Sequence, residues 1–178
     1  MVMLFASANA QIVRFGLKGG INFSTLVGDT EDNNSRLGFN GGGFAEIKII
    51  DKFFIQPELL YSEEGTIYDD DDKLKTSYFK IPILAKYYVA KKISIEAGPQ
   101  IGFLLSASEF GQDAKDIVNS FDFGAALGLN YDFTNNIFIG GRYNLGLYNI
   151  AKLDNLPEFD PNFTVKNSVF TVFLGYKF

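Results

Sequence analysis

The chain contains no cysteine, no histidine and no tryptophan among its 178 residues. Without cysteine there is neither a disulfide framework nor thiolate chemistry. Without histidine the commonest general base and metal ligand is missing. A serine nucleophile of the lipase or deacylase kind would also lack its imidazole partner. No stretch reaches 18 consecutive apolar residues, which excludes a membrane-spanning helix. The net charge of −5 runs against nucleic-acid binding, which needs clustered Lys and Arg to meet phosphates. Proline is scarce, at 5 residues, whereas Phe (19), Tyr (9) and Gly (18) are plentiful. That mixture favours strands and tight turns, and the length suits one domain with one core. No enzyme activity and no cofactor are expected.

Residues 1–10 stand apart. An apolar run leads to Ala8-Asn9-Ala10 before Gln11, and small residues at −3 and −1 are what a signal peptidase accepts. The segment reads as the remnant of a cleaved export signal, with the mature domain spanning 11–178.

From Ile12 onward the pattern has period 2, the signature of strands with two unlike faces. In the first run Val13, Phe15, Leu17, Ile21 and Phe23 share one face, and Arg14, Gly16, Lys18, Gly20 and Asn22 the other. Run 37–49 sets Leu37, Phe39, Ala45, Ile47 and Ile49 against Asn40, Gly42, Phe44, Glu46 and Lys48. The same opposition recurs over 53–62, 78–89, 93–105, 121–133, 139–147 and 168–178. Eight runs of about 10 to 13 residues match the length of tilted membrane strands. The connections alternate: three are short, around Asp51-Lys52, Lys91-Lys92 and Asn135-Asn136, and four are long, at 24–36, 63–77, 106–120 and 149–167. Short inner turns and long outer loops are the asymmetry of membrane barrels, with both termini on the periplasmic side.

Alternation alone does not say which face is outside. The apolar rows carry roughly forty large side chains, and an eight-stranded interior is just wide enough for side chains to fill, about twelve in a comparable closed core. A two-sheet sandwich would absorb more. For a closed barrel the count favours apolar rows that point outward to lipid and Gly-rich rows with isolated charges that point into a narrow lumen, while the sandwich stays open as an alternative. Aromatics near run ends, such as Phe53, Tyr61, Phe121, Tyr131, Phe133 and Tyr176, suit interfacial girdles. Only helices and closed barrels satisfy backbone groups in lipid. The expectation is an all-β, eight-stranded, antiparallel, up-and-down transmembrane barrel in the outer membrane of a Gram-negative bacterium.

Several segments carry a family resemblance. Phe15-Gly16-Leu17-Lys18-Gly19-Gly20-Ile21-Asn22-Phe23-Ser24 resembles the opening strand of the Bacteroidetes outer-membrane β-barrel domain, the PorT-like "porin family" group. Phe54-Ile55-Gln56-Pro57-Glu58-Leu59-Leu60-Tyr61-Ser62, Tyr78-Phe79-Lys80-Ile81-Pro82-Ile83 and Ala97-Gly98-Pro99-Gln100-Ile101-Gly102 are similar in style. The likeness spans 11–178. It implies an outer-membrane barrel and, by the group's namesake, an association with a secretion apparatus. Phe178 resembles the terminal aromatic signal read by the barrel-assembly machinery.

The inward rows hold Arg14, Lys18, Glu46, Lys48, Glu58, Lys80, Lys86, Glu96, Asp122, Asp132 and Arg142, six basic and five acidic groups. Near balance suggests a lumen tied by ion pairs, because buried charges require partners; the alternative is a narrow path for ions or protons. Asp69, Asp70, Asp71 and Asp72 supply oxygen ligands of the kind that hold Ca²⁺ or Mg²⁺, but they lack the spacing of an EF-hand loop, and a solvated loop tip is the plainer reading. Gly41-Gly42-Gly43 and Gly140-Gly141 are not phosphate loops, since no Lys-Ser/Thr pair or helix start follows. Pro57, Pro82 and Pro99 lie inside strand runs, where a ladder donor is lost, so bulges or local mispairing are expected there.

The long loops are acidic on balance. They suit contact with a surface partner or, through divalent cations, with lipopolysaccharide. Three functional readings follow: a structural or interaction barrel, a narrow channel for small ions or solutes, and an exported soluble barrel that binds an apolar ligand.

Overall fold

The computed structural model describes residues 13–28, 34–69, 72–109, 112–115, 118–150 and 164–178; for 68, 69, 72, 73, 109 and 113 it describes the backbone alone. The expected signal remnant, 1–10, lies outside the described residues. The strands are β1 (Val13–Gly28), β2 (Asn34–Ile50), β3 (Phe53–Asp69), β4 (Asp72–Ala90), β5 (Ile93–Glu109), a two-residue β6 (Gln112–Asp113), β7 (Phe121–Asp132), β8 (Ile137–Gly146) and β9 (Val165–Lys177). All but β6 form one ring, β1-β2-β3-β4-β5-β7-β8-β9, in which every pairing is antiparallel. The ring closes where β1 meets β9, from Gly16↔Lys177 to Gly28↔Val165. Closure leaves no free edge, which lipid would not tolerate.

The faces divide as the alternation predicts. Leu17 on β1, Leu37 on β2, Leu59 on β3, Ile83 on β4, Leu105 on β5, Leu127 on β7, Ile139 on β8 and Leu174 on β9 all point out and are exposed. Lys18, Glu58, Lys80, Lys86, Glu96 and Arg142 point in and are buried. An apolar belt that runs through every strand of the ring is far larger than the patches that water-soluble monomers show. It removes the reading of a soluble barrel with a greasy centre.

Strand pairing goes further than the sequence suggests. The β3–β4 ladder continues to Asp69↔Asp72, so most of 63–77 is hairpin rather than loop. Likewise β1 runs to Gly28 and β2 starts at Asn34. Pairing satisfies backbone groups whatever the side chains are, so the strands continue beyond the apolar belt into polar sequence. Around the three prolines the register does not shift. Pro57 stays opposite Ile83, Pro82 opposite Gln100 and Pro99 opposite Ala125. What is lost is local pairing: no ladder partners join β4 and β5 between Pro82↔Gln100 and Ala85↔Ala97. The register shifts sit elsewhere, mostly near strand ends, at Lys48/Ile50, Ile67/Asp69, Ser77/Tyr78 and Tyr88/Ala90 among others.

The three short connections lie at one end of the barrel together with Val13 and Phe178. The N–H of Lys177 donates to the carbonyl of Asn136 at 2.7 Å, and that of Phe178 to the carbonyl of Phe15 at 2.8 Å. In the last of these turns Thr134 Oγ1 accepts from the N–H groups of Asn136 and Ile137, at 3.2 and 3.0 Å.

Candidate functional site

The lumen is packed in layers, and aromatic rings divide it. Phe44, Phe138 and Phe173 are buried together, with Phe138 edge-on to Phe44 at 5.6 Å and to Phe173 at 6.2 Å between centroids. Each ring faces a glycine on the neighbouring strand: Phe44 opposite Gly16, Phe138 opposite Gly175, Phe173 opposite Gly140. A Cβ on Gly16 would come within 2.3 Å of Phe44, and one on Gly175 within 2.2 Å of Phe138. These glycines are therefore the seats against which the rings pack, a cross-strand pairing that fills the gap left by a missing side chain.

Charged layers stack on this aromatic one. In the central layer the Arg142 guanidinium reaches across the barrel to Glu58, its Nη1 and Nη2 donating to the two carboxylate oxygens at 2.8 and 2.9 Å. Its Nε donates to Glu96 Oε1 at 2.7 Å. Lys18 Nζ approaches Glu58 at 2.7 Å. Asn130 and Gln56 add amide donors to Glu96 and Glu58, at 2.9 and 2.7 Å. Two-pronged Arg–carboxylate pairing is both strong and directional, so four strands (β1, β3, β5 and β8) are pinned at the barrel centre. Lys18 and Arg142 also lie over the Phe173 ring, at 4.4 and 5.3 Å from its centroid, where the ring face attracts cations.

Toward the short-turn end Lys86 donates to Glu46 at 2.9 Å and to Gln56 at 3.2 Å. Lys177 donates to Tyr88 at 2.8 Å and to Asp132 at 3.1 Å, and Tyr88 donates to Asp132 at 2.9 Å. Toward the long-loop end Lys80 pairs with Glu64 and, at 3.5 Å, with Asp122. There Asn22 accepts from Asn40 at 2.6 Å and from Thr171 at 2.8 Å, and donates to Ser62 at 2.9 Å. The space bordered by Glu64, Lys80, Asn144 and Arg142 is a cavity of about 20 Å³, the scale of a single water rather than of a solute path.

Of the eleven inward candidates, nine take part in these layers. Arg14 and Lys48 do not. Arg14 is exposed, and Lys48 pairs with Asp51 in the turn at 3.0 Å. Both lie past the last buried layer, where the barrel opens, so parity of side chain does not amount to burial there. The hydrogen bond from Lys48 holds the Asp51 carboxyl below the usual carboxylate range. Two charged participants that the candidate set lacks are Glu64 and Lys177. Both continue a row already visible in the sequence, Glu58-x-Leu60-x-Ser62-x-Glu64 and Phe173-x-Gly175-x-Lys177. The Asp69–Asp72 carboxylates lie outside the described side chains. Phe178 is exposed at the rim and packs edge-on to Tyr176, 5.5 Å between centroids.

The two ends of the barrel differ. At the long-loop end a small apolar core closes the mouth: Leu26, Leu74, Ala107, Ala114, Val118, Ile150 and Val165 are buried together. It draws the connections inward, with Asn119 N–H donating to the Ile150 carbonyl and Ile150 N–H to the Val165 carbonyl, both at 2.8 Å. At the short-turn end the barrel opens into a cavity of about 770 Å³ lined by Arg14, Lys48, Lys52, Lys91 and Lys92 with Glu46, Asp51 and Asp132.

Comparison with known proteins agrees with this architecture. Neisserial surface protein A superposes with a TM-score of 0.62 at 13% identity, over 92% of this chain and 97% of that one. Ail, the attachment invasion locus protein of Yersinia pestis, gives 0.56 at 17% identity, over 93% and 98%. At such identities the likeness establishes the fold alone. No curated protein matches the sequence. A family profile, "Outer membrane protein beta-barrel domain", matches residues 6–152. Family, ring closure and outward apolar belt agree, and the chain belongs to the outer membrane protein β-barrel domain family.

Proposed function

We propose that this outer-membrane barrel is a sealed, non-enzymatic anchor that presents its long-loop end to a surface or envelope partner. The observation that carries the reading is the filled lumen: an aromatic layer seated on glycines, flanked by ion-paired layers and capped by the apolar core around Ile150. An eight-stranded wall leaves room for side chains and little else. The narrow-channel reading would need the Arg142–Glu58–Glu96 layer to part. Reconstitution into planar bilayers is expected to give no discrete conductance steps in molar KCl. Stable single-channel steps that vanish in a Phe173→Trp variant would replace the anchor by a channel.

In the orientation we favour, the short turns and termini face the periplasm and the β3–β4 hairpin faces outward, as the connection lengths suggest. The narrower PorT-like placement rests on the sequence segments around Phe15-Gly16-Leu17 and Ile81-Pro82-Ile83. The sequence Asp69-Asp70-Asp71-Asp72-Lys73, which begins at the end of β3 and finishes in the start of β4, matches the cleavage sequence of enteropeptidase, which provides a topological probe. Treatment of intact cells should nick the chain at Lys73. Cleavage only after lysis would invert the orientation.

A further inference from the structure

Among the described residues, the cavity at the short-turn end gathers a marked excess of basic side chains. Arg14, Lys48, Lys52, Lys91 and Lys92 line it, and Lys86 and Lys177 lie beneath, bonded to lining residues. Against these seven cations stand three carboxylates, and each is already engaged. Glu46 bonds Lys86, Asp51 bonds Lys48, and Asp132 bonds Lys177 and Tyr88. The region therefore carries an excess of four positive charges in a chain whose net charge is −5. Part of the excess acts at longer range, with Arg14 attracting Glu46 and Lys52 attracting Asp51, but little of it is tied down by direct pairing. Among the described residues, Arg14, Lys52 and Lys91 hold no carboxylate in a direct ion pair, and Lys92 donates to a backbone carbonyl, Phe133 O, at 3.4 Å. Like charges gathered on one rim repel and weaken the fold unless something offsets them.

The shape suits a ligand as well. At about 770 Å³ the cavity falls within the range of small-molecule sites, roughly 300–1,000 Å³. It has an apolar wall, where Phe54 and Tyr88 pack edge to face at 5.4 Å. Its floor is fixed by the half-buried Lys177–Tyr88–Asp132 bonds, so an arriving anion would not have to organise it. The cavity lies on the barrel axis inside the ring of turns, away from the lipid belt.

We propose that this cavity is a binding site for a small, multiply charged anion, a polycarboxylate or phosphate compound, held by Arg14, Lys52, Lys91 and Lys92 over the aromatic wall. The site is independent of the partner reading at the other end. The test uses the refolded full chain in zwitterionic detergent micelles, titrated by calorimetry with citrate, with pyrophosphate, and with glucose as a neutral probe. Citrate or pyrophosphate should bind and glucose should not. Affinity should fall steeply as NaCl rises through the physiological range, because exposed charges are screened over about 8–10 Å there. The variant Arg14→Gln/Lys52→Gln/Lys91→Gln should weaken binding by about tenfold or more, given the Coulomb energies of charges this close. These side chains hold no part of the barrel closed, so the folded, heat-modifiable gel band should persist. No heat of binding at millimolar anion, or equal affinity in the triple variant, would overturn the proposal. Equal binding of glucose would assign the cavity to neutral ligands and overturn it too.

Discussion

Replacing Arg142 by methionine should cost about 3–5 kcal/mol of folding stability, the usual penalty for removing one partner of a buried ion pair. The residue is 3% exposed and its three nitrogens serve two carboxylates, Glu58 and Glu96, that are each 1% exposed. Without it Lys18 is the only cation left in that layer for two negative charges. The physical origin of the loss is desolvation rather than the strength of the lost bonds, and that makes a second result predictable. Adding Glu96→Gln to Arg142→Met leaves Lys18 and Glu58 as a balanced pair at 2.7 Å, so the double variant should recover more than half of the loss. Such non-additivity marks residues that act as a unit. Urea unfolding of the barrel in lipid vesicles, read by gel mobility and tyrosine fluorescence, gives both numbers. A single-variant loss under about 1 kcal/mol is what a solvent-exposed pair would show. It would mean that the lumen is wet, and the sealed-anchor reading would fall with it.

Much of this site is legible in the sequence, because strand parity is a rigid rule. Lys18, Glu58, Lys80, Lys86, Glu96 and Arg142 sit one residue away from outward Leu17, Leu59, Phe79, Tyr87, Ile95 and Tyr143, and a strand offers a side chain only two faces. Two things were hidden. The first was which inward residues meet. Arg142 and Glu58 are 84 positions apart, and their contact depends on strand order, registers and the closure of β1 on β9. The glycine seats are hidden in the same way: Gly140 explains Phe173 only once β8 and β9 are known to pair in that register. The second was how far the strands run. Glu63-Glu64-Gly65 reads as the start of a loop, yet Glu64 and Thr66 still point inward and β3 continues to Asp69. The apolar cap gave no periodic signal at all. Leu26, Leu74, Ile150 and Val165 come from separate segments and become a core only when the barrel brings them together.

The outward face permits a prediction that depends on the solvent rather than on the fold. Leu127 lies near the middle of β7, opposite Ala97 on β5 and Tyr143 on β8, and is 64% exposed. On a water-soluble barrel, Leu127→Arg would replace a poorly placed apolar surface group and change stability by about half a kcal/mol or less. In a bilayer the same arginine meets hydrocarbon. It should cost about 2–4 kcal/mol at the midplane, and about 0–1 kcal/mol near an interface. Phe133→Arg supplies the matched control, because Phe133 belongs to a short turn and is already half exposed at the rim. The two variants should therefore differ by a few kcal/mol in vesicles of matched thickness, and the difference should shrink in short-chain lipids that bring the interface closer to Leu127. Leu127 touches no inward residue, and Phe133, which lines the short-turn cavity, lies past the last buried layer, so the lumen layers remain intact in both variants. Equal, small effects at both positions would mean that the rows around Leu17, Leu127 and Leu174 do not face lipid, and the membrane placement of the whole ring would have to be abandoned.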